Sequence, residues 1–166
     1  PPIAAGGWVH SHNLRTRLAG LGDFEFRSIP RPATVDRPAA TFLGYRRRDG
    51  RVATRNEIWI LCTVGCVART AAKIARIASE RYADQVDGVH AFTHPFGCSQ
   101  LGDDLARTRG LLAALARHPN AGGVLVVGLG CESNQLAALL GSLEGVEPRR
   151  LRAFAAQGEG DEIEAG

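Results

Sequence analysis

Gly123-Val124-Leu125-Val126-Val127-Gly128-Leu129, running directly into Gly130-Cys131, decides the fold of this chain. The run is apolar on consecutive positions, so it does not read as a strand with one wet face. It is also too short for a buried helix and is bounded by glycines. A strand covered on both faces, as in a parallel sheet, fits it. Glu57-Ile58-Trp59-Ile60-Leu61-Cys62-Thr63 is a second such run. Val86 to Thr93 and Leu151 to Ala155 read as two further strands. Between the strands the apolar period changes to that of a helix. From Cys66 to about Glu80, Val67, Ala71, Ile74, Ala75 and Ala78 form one stripe. Leu105, Leu112, Leu115 and Ala116 mark the core face of a second helix, which ends before Pro119. Asp103 and Asp104 open it, where acidic groups favour the positive end of the dipole, and Asp103 reads as its cap. A short helix is expected over Ser133 to Ser142. Strands and helices alternate, and right-handed crossovers then predict an α/β fold: a three-layer, Rossmann-like parallel sheet with helices on both faces.

Working outward, Gly65-Cys66, Gly97-Cys98 and Gly130-Cys131 recur at intervals of 32 and 33 residues, about one strand-plus-helix unit. Each pair follows a predicted strand and precedes a helix. All such loops of a parallel sheet lie on one edge, where ligands bind. Neighbouring strands are about 4.8 Å apart, so three thiols on that edge are expected to converge on one ligand, metal or cluster. The start of a helix favours thiolate, the form that binds metals. Three thiolates with an open position suit a divalent metal or an iron–sulfur cluster. Cys62, inside a strand run, reads as a packing residue. No disulfide is expected among these cysteines.

The chain has 166 residues, 45% hydrophobic and 22% charged, enough for one well-buried domain and an appendage. No run approaches the length of a membrane span, and no targeting signal is visible. A cytoplasmic enzyme is the expectation. Much of the net charge of +3 comes from Arg46, Arg47, Arg48, Arg51 and Arg55. Clustered in one polar turn, they argue against nucleic acid. Arginine pairs suit carboxylates, so an acidic small molecule is the expected partner. Gly128-Leu129-Gly130 lacks the third glycine of a dinucleotide fingerprint.

Three regions are expected. Residues 1–20, with His10 and His12 alternating by two, read as the end of a β-rich module. Residues 21–40, with Pro30, Pro32 and Pro38, read as a linker. Residues 41–166 form the α/β domain, entered through a ribbon turning at Arg48-Asp49-Gly50-Arg51. The opening Pro1-Pro2 and the incipient helix at Asp161-Glu162-Ile163-Glu164 lead to the expectation of an internal piece of a longer enzyme, inactive alone.

His94 and Glu132, each beside a loop thiol, are the candidates for moving protons. The ordinary alternatives are a hydrogen-bonded histidine at a strand end and a glutamate that caps a helix. Arg55 is the candidate for holding a substrate carboxylate, with Asn56, Gln100 and Asn134 as further substrate contacts. Cys66, Cys98 and Cys131 are the candidate metal ligands.

These motifs resemble the altronate/galactarate dehydratase family. Gly44-Tyr45-Arg46-Arg47-Arg48-Asp49-Gly50-Arg51 with Thr54-Arg55-Asn56 is similar to its ribbon, and Thr63-Val64-Gly65-Cys66-Val67 to its first loop. Thr93-His94-Pro95-Phe96-Gly97-Cys98-Ser99-Gln100-Leu101-Gly102-Asp103-Asp104 is similar to its second loop and leans toward the altronate branch. His118-Pro119-Asn120-Ala121-Gly122 and Gly128-Leu129-Gly130-Cys131-Glu132-Ser133-Asn134-Gln135 are similar to its third. His10-Ser11-His12-Asn13 resembles the end of the family's N-terminal SAF-like module. The resemblance implies a hydro-lyase of hexuronate catabolism that converts altronate to 2-keto-3-deoxygluconate. It also implies iron(II) or manganese(II), an iron–sulfur cluster being the alternative. Self-association into a homo-oligomer stays open. Two other readings remain: elimination of sulfite from a small hydroxy acid on the same scaffold, or a non-catalytic binding or dimerisation domain.

Overall fold

The computed structural model describes residues 40–166. The SAF-like remnant expected at 1–20, with His10 and His12, and the linker expected at 21–40 lie outside the described residues, Ala40 excepted. The described chain enters through a short antiparallel ribbon, β1 (Tyr45–Arg46) with β2 (Val52–Ala53), which turns at a glycine of positive φ, Gly50. It then forms a parallel sheet of β3 (Glu57–Cys62), β4 (Val89–Phe92), β5 (Ala121–Gly128) and β6 (Leu151–Ala155). Four helices follow these strands: α1 (Ala68–Arg81), α2 (Gly102–Ala116), α3 (Leu136–Gly141) and α4 (Glu162–Ala165). No helix among the described residues is long and apolar enough to cross a membrane.

The strand order is β4-β3-β5-β6. From β3 the chain steps one way to β4, then returns across β3 to β5 and on to β6. Crossovers of one hand therefore put α1 on one face and α2 and α3 on the other. The core records this. Successive side chains of a strand point to opposite faces. Ile60 and Cys62 pack with Val67, Ala71, Ile74 and Ala75 of the α1 side. Trp59 and Leu61 pack with Leu112, Ala113, Ala116 and Leu139 of the α2–α3 side. Burial on both faces is why the Glu57–Cys62 run does not alternate.

Two boundaries differ from the sequence reading for a hydrogen-bonding reason, and one cap differs as well. β4 starts at Val89, because Asp87 is occupied: its carboxylate accepts the Asn56 N–H at 2.6 Å and its carbonyl accepts from Arg55. α3 starts at Leu136, because Glu132, Asn134 and Gln135 are engaged in the preceding loop. At α2 the cap position is Leu101, with no side-chain cap bond. Asp103 sits in the first turn, where it acts on the dipole rather than as a cap.

Candidate functional site

Connections leave β3 and β5 in opposite directions, so a crevice opens between their carboxyl ends. Three loops surround it: residues 63–67 after β3, 93–101 after β4 and 129–135 after β5. Each carries one exposed free thiol, Cys66, Cys98 and Cys131 respectively. Cys66 lies in a single 3₁₀ turn, Gly65–Val67, that leads into α1. The Cys131 thiol accepts a bond from Gln157 Nε2 at 3.6 Å. The Cys98 sulfur lies 3.9 Å from the hydroxyl of Ser99. Ser99 holds φ +58, the one non-glycine residue with positive φ among those described. Such a conformation persists only where its surroundings impose it, and it gathers at functional loops.

Beneath this rim the loops are locked together by buried polar bonds. Asn134, wholly buried, is the hub. Its N–H donates to the Gly97 carbonyl at 3.1 Å, its Nδ2 donates to the Thr63 carbonyl at 3.1 Å, and its Oδ1 accepts from Arg109 Nε at 3.2 Å. The Gly65 N–H donates to the Phe96 carbonyl at 2.8 Å. The Gln100 side-chain Oε1 accepts from the Gly97 N–H at 2.9 Å, and its Nε2 donates to the Thr108 hydroxyl on α2 at 3.0 Å. Gln100 and Asn134, anticipated as substrate contacts, thus spend their side-chain polar atoms on the loops and on α2.

Glu132 is also turned inward. Its carboxylate accepts from the Thr63 hydroxyl at 2.6 Å, the Gly130 N–H at 2.6 Å and the Leu129 N–H at 3.1 Å. Burial by itself would raise its pKa, but the bonds from Thr63 and the backbone N–H groups outweigh this and hold it below the ordinary carboxylate value. His94 is half-buried: Nε2–H donates to the Cys62 carbonyl at 2.8 Å, and Nδ1 accepts the Phe96 N–H at 3.1 Å. Both ring nitrogens are engaged.

Arg55 and Asn56 lie elsewhere. They precede β3, whose six residues span roughly 16 Å, so they belong to the amino edge while the thiols rim the carboxyl edge. Arg55 bonds Glu57 and the Asp87 carbonyl there, and Asn56 accepts from Arg47 at 2.9 Å. The structure does not bring these two residues to the thiol loops. Nor do three His, Cys, Asp or Glu side chains gather closely enough to hold a metal ion among the described residues. Cys66, Cys98 and Cys131 share an edge but do not by themselves form a ligand set.

Two wide hollows have largely apolar walls, the first with Arg149, Arg150 and Arg152 on one side. One of about 780 Å³ lies over the sheet face between α1 and β6, lined by Ile58, Ile60, Ile74 and Phe154, and none of the three loop thiols borders it. Another of about 770 Å³ lies beside α2 and is lined largely by Phe92, Leu111, Leu112 and Leu115, with His94 and Gln100 at its edge.

Residues 44–166 match the family model described as D-galactarate dehydratase/Altronate hydrolase, second domain. The chain belongs to that family. It is 47% identical to a protein named altronate dehydratase from Escherichia coli (strain K12), over 99% of this chain and 34% of that one. It is 40% identical to the altronate dehydratase of Bacillus subtilis (strain 168), over 99% of this chain and 33% of that one. A shorter match, 36% over 89 residues, is to the (2R)-sulfolactate sulfo-lyase subunit beta of Chromohalobacter salexigens, covering 54% of this chain and 21% of that one. The chain spans about a third of the length of the two altronate dehydratases. No solved structure matches it. The family is one of sugar-acid dehydratases.

Two residues of the loop lock escape a reading of the family motifs for chemistry. Thr63 is a polar residue closing an apolar run and wholly buried, which is a usable signal. Arg109 lies on a helix with no local hint that it reaches Asn134. The thiols themselves allow a direct check. Burial pushes the Cys62 thiol up to about 11, while Cys66, Cys98 and Cys131 are exposed. Iodoacetamide at pH 8 should therefore label those three in the native protein and Cys62 only after unfolding, since the thiolate is the nucleophile. Mass spectrometry of the digested protein reads the result. Native labelling of Cys62 would show that β3 is not closed in by α1.

Proposed function

We propose that the protein to which this chain belongs is a cytoplasmic hydro-lyase of hexuronate catabolism. It would convert altronate to 2-keto-3-deoxygluconate, and this chain would supply the thiol-rimmed edge of its active site. The observation that carries this reading is the match over 99% of the chain to two altronate dehydratases. The placement of Cys66, Cys98 and Cys131 around one crevice supports it.

The chemistry is an elimination. A base takes the proton α to the carboxylate, leaving an aci-carboxylate dianion. The β-hydroxyl departs with a proton as water, and the enol relaxes to the keto acid. The dianion needs positive or hydrogen-bonding groups placed where its charge develops. In this chain Thr63, Glu132 and Asn134 fix the three loops, so that Cys98 and its neighbours meet the substrate on a rigid frame. Glu132 serves there as an anchor, since its carboxylate is already held by three donors. His94 takes or gives a proton only on releasing its bond to Cys62 or Phe96. The iron(II), manganese(II) or iron–sulfur cluster that the resemblance implies would need donors beyond the three thiols, because no complete donor group is assembled among the described residues.

The test is a keto-acid assay on the full-length protein with altronate, iron(II) or manganese(II) being supplied. Cys98 is exposed, so Cys98→Ser should leave the fold intact. It is expected to lower turnover by about 100-fold or more, the effect of losing one group at a reacting centre. Full activity of the variant would reduce Cys98 to a surface residue. The match to a sulfo-lyase subunit supports a second reading, sulfite elimination from a small hydroxy acid. Sulfite release from sulfolactate, with no keto acid from altronate, would favour it.

A further inference from the structure

An arginine-lined pocket at the amino edge of the sheet takes no part in the site above. It encloses about 240 Å³ between the ribbon turn, the end of α2 and the segment that enters β6. Arg48, Arg51, Arg117 and Arg150 line it with Asp49, Glu144 and Glu147. Two of the arginines are neutralised. Arg51 bonds the Asp49 carboxylate at 2.6 Å, and Arg48 bonds Glu147 at 3.1 Å. The other two are not ion-paired among the described residues. Arg117 reaches only the carbonyls of Ala113 and Ser142, and Arg150 only those of His118 and Ala121. Arg150 Nε is the one buried side-chain nitrogen or oxygen among the described residues that has no hydrogen-bond partner. Native structures rarely leave such a donor unmatched. Burial, and then the neighbouring Arg47 and Arg51, act against its positive charge and outweigh the support of Asp49 and Glu147.

We propose that this pocket binds a small oxyanion, a carboxylate or a phosphate group, held by Arg150 with Arg117. The pairing is chemically apt: a guanidinium presents several N–H donors in a fixed fork, which matches two oxygens of one anion. A bound oxyanion would supply the direct ion-pair partner that neither arginine has among the described residues. The pocket lies across the sheet from the thiol loops, so the inference does not rest on the dehydratase reading.

The experiment follows arginine Nε–H signals by two-dimensional ¹H–¹⁵N NMR, with the Arg150 signal assigned by its loss in Arg150→Lys. The protein is titrated with sodium phosphate, with sodium gluconate, and with sodium chloride at matched ionic strength. The expected result is a saturable shift of the Arg150 signal with phosphate or gluconate and none with chloride. The two arms show which oxyanion is preferred. Arg117→Gln should weaken the apparent affinity about tenfold or more, the worth of one charge-assisted bond. Should Arg150→Lys fail to fold, calorimetric titration of the wild type against Arg117→Gln gives the same comparison. A shift that merely tracks ionic strength, no shift at all, or undiminished affinity in Arg117→Gln would overturn the proposal.

Discussion

Replacing Gly97 by alanine is expected to lower the stability of the described domain by about 3 kcal/mol, a fall in Tm on the order of 10 °C. Gly97 has φ +99, where an L side chain is strained. That alone costs roughly 1–2 kcal/mol. A Cβ there would also lie 2.2 Å from the Thr63 carbonyl oxygen and 2.8 Å from the Val64 Cα. Both are backbone atoms at the end of the central strand and have no rotamer to change. The loop would have to pull away, taking with it the Asn134 N–H bond to the Gly97 carbonyl. Gly102 is the internal control: its φ is +55, but a Cβ there meets nothing within 4 Å. Urea unfolding of the two alanine variants separates backbone strain from contact. Equal losses in both would mean that the second loop does not press against Thr63.

The second large effect is expected at Glu132, which is 2% exposed and accepts three hydrogen bonds. Glu132→Ala strands the Thr63 hydroxyl and two backbone N–H groups in a buried setting, at a cost of about 3–5 kcal/mol. Glu132→Gln keeps the shape and one acceptor oxygen, and should cost less, about 1–2 kcal/mol. The pair also differs in its response to acid. The folded-state pKa of Glu132 lies below its ordinary value of 4.5, so the proton binds more tightly to the unfolded chain. The carboxylate's contribution is therefore complete above about pH 4.5 and is lost as pH falls through the lower folded value. Glu57, Asp49 and Asp161 are shifted in the same direction, so acid destabilisation should persist in Glu132→Gln but with a shallower slope below pH 4.5. Denaturant midpoints measured from pH 7 downward test this. Parallel curves for the wild type and Glu132→Gln would show that Glu132 is not ionised inside the loop network.

The amino-acid sequence by itself determined the elements and their order. The runs at Glu57–Cys62 and Ala121–Gly128 are apolar without alternation because both sheet faces are covered, and burial of that kind leaves its mark on every residue. The ribbon turn at Asp49-Gly50, the burial of Cys62 and the shared edge of the three Gly-Cys loops follow from the same local rules. The tertiary structure alone decided what depends on contacts between distant segments. One such matter is the order β4-β3-β5-β6, which places the crevice between the first and third strands of the sheet. Another is the direction of Glu132 and Asn134. A polar residue beside a loop thiol reads equally well as a group facing substrate. Here both turn inward, because Thr63, 69 and 71 residues away in sequence, offers a hydroxyl to one and a carbonyl to the other. The grouping of Arg55 and Asn56 with the thiols was undone by strand geometry, since an extended strand carries its two ends to opposite edges of the sheet. Hydrophobic periodicity is local and survives in one dimension, whereas the pairing of a buried donor with its acceptor exists only once the chain has closed on itself.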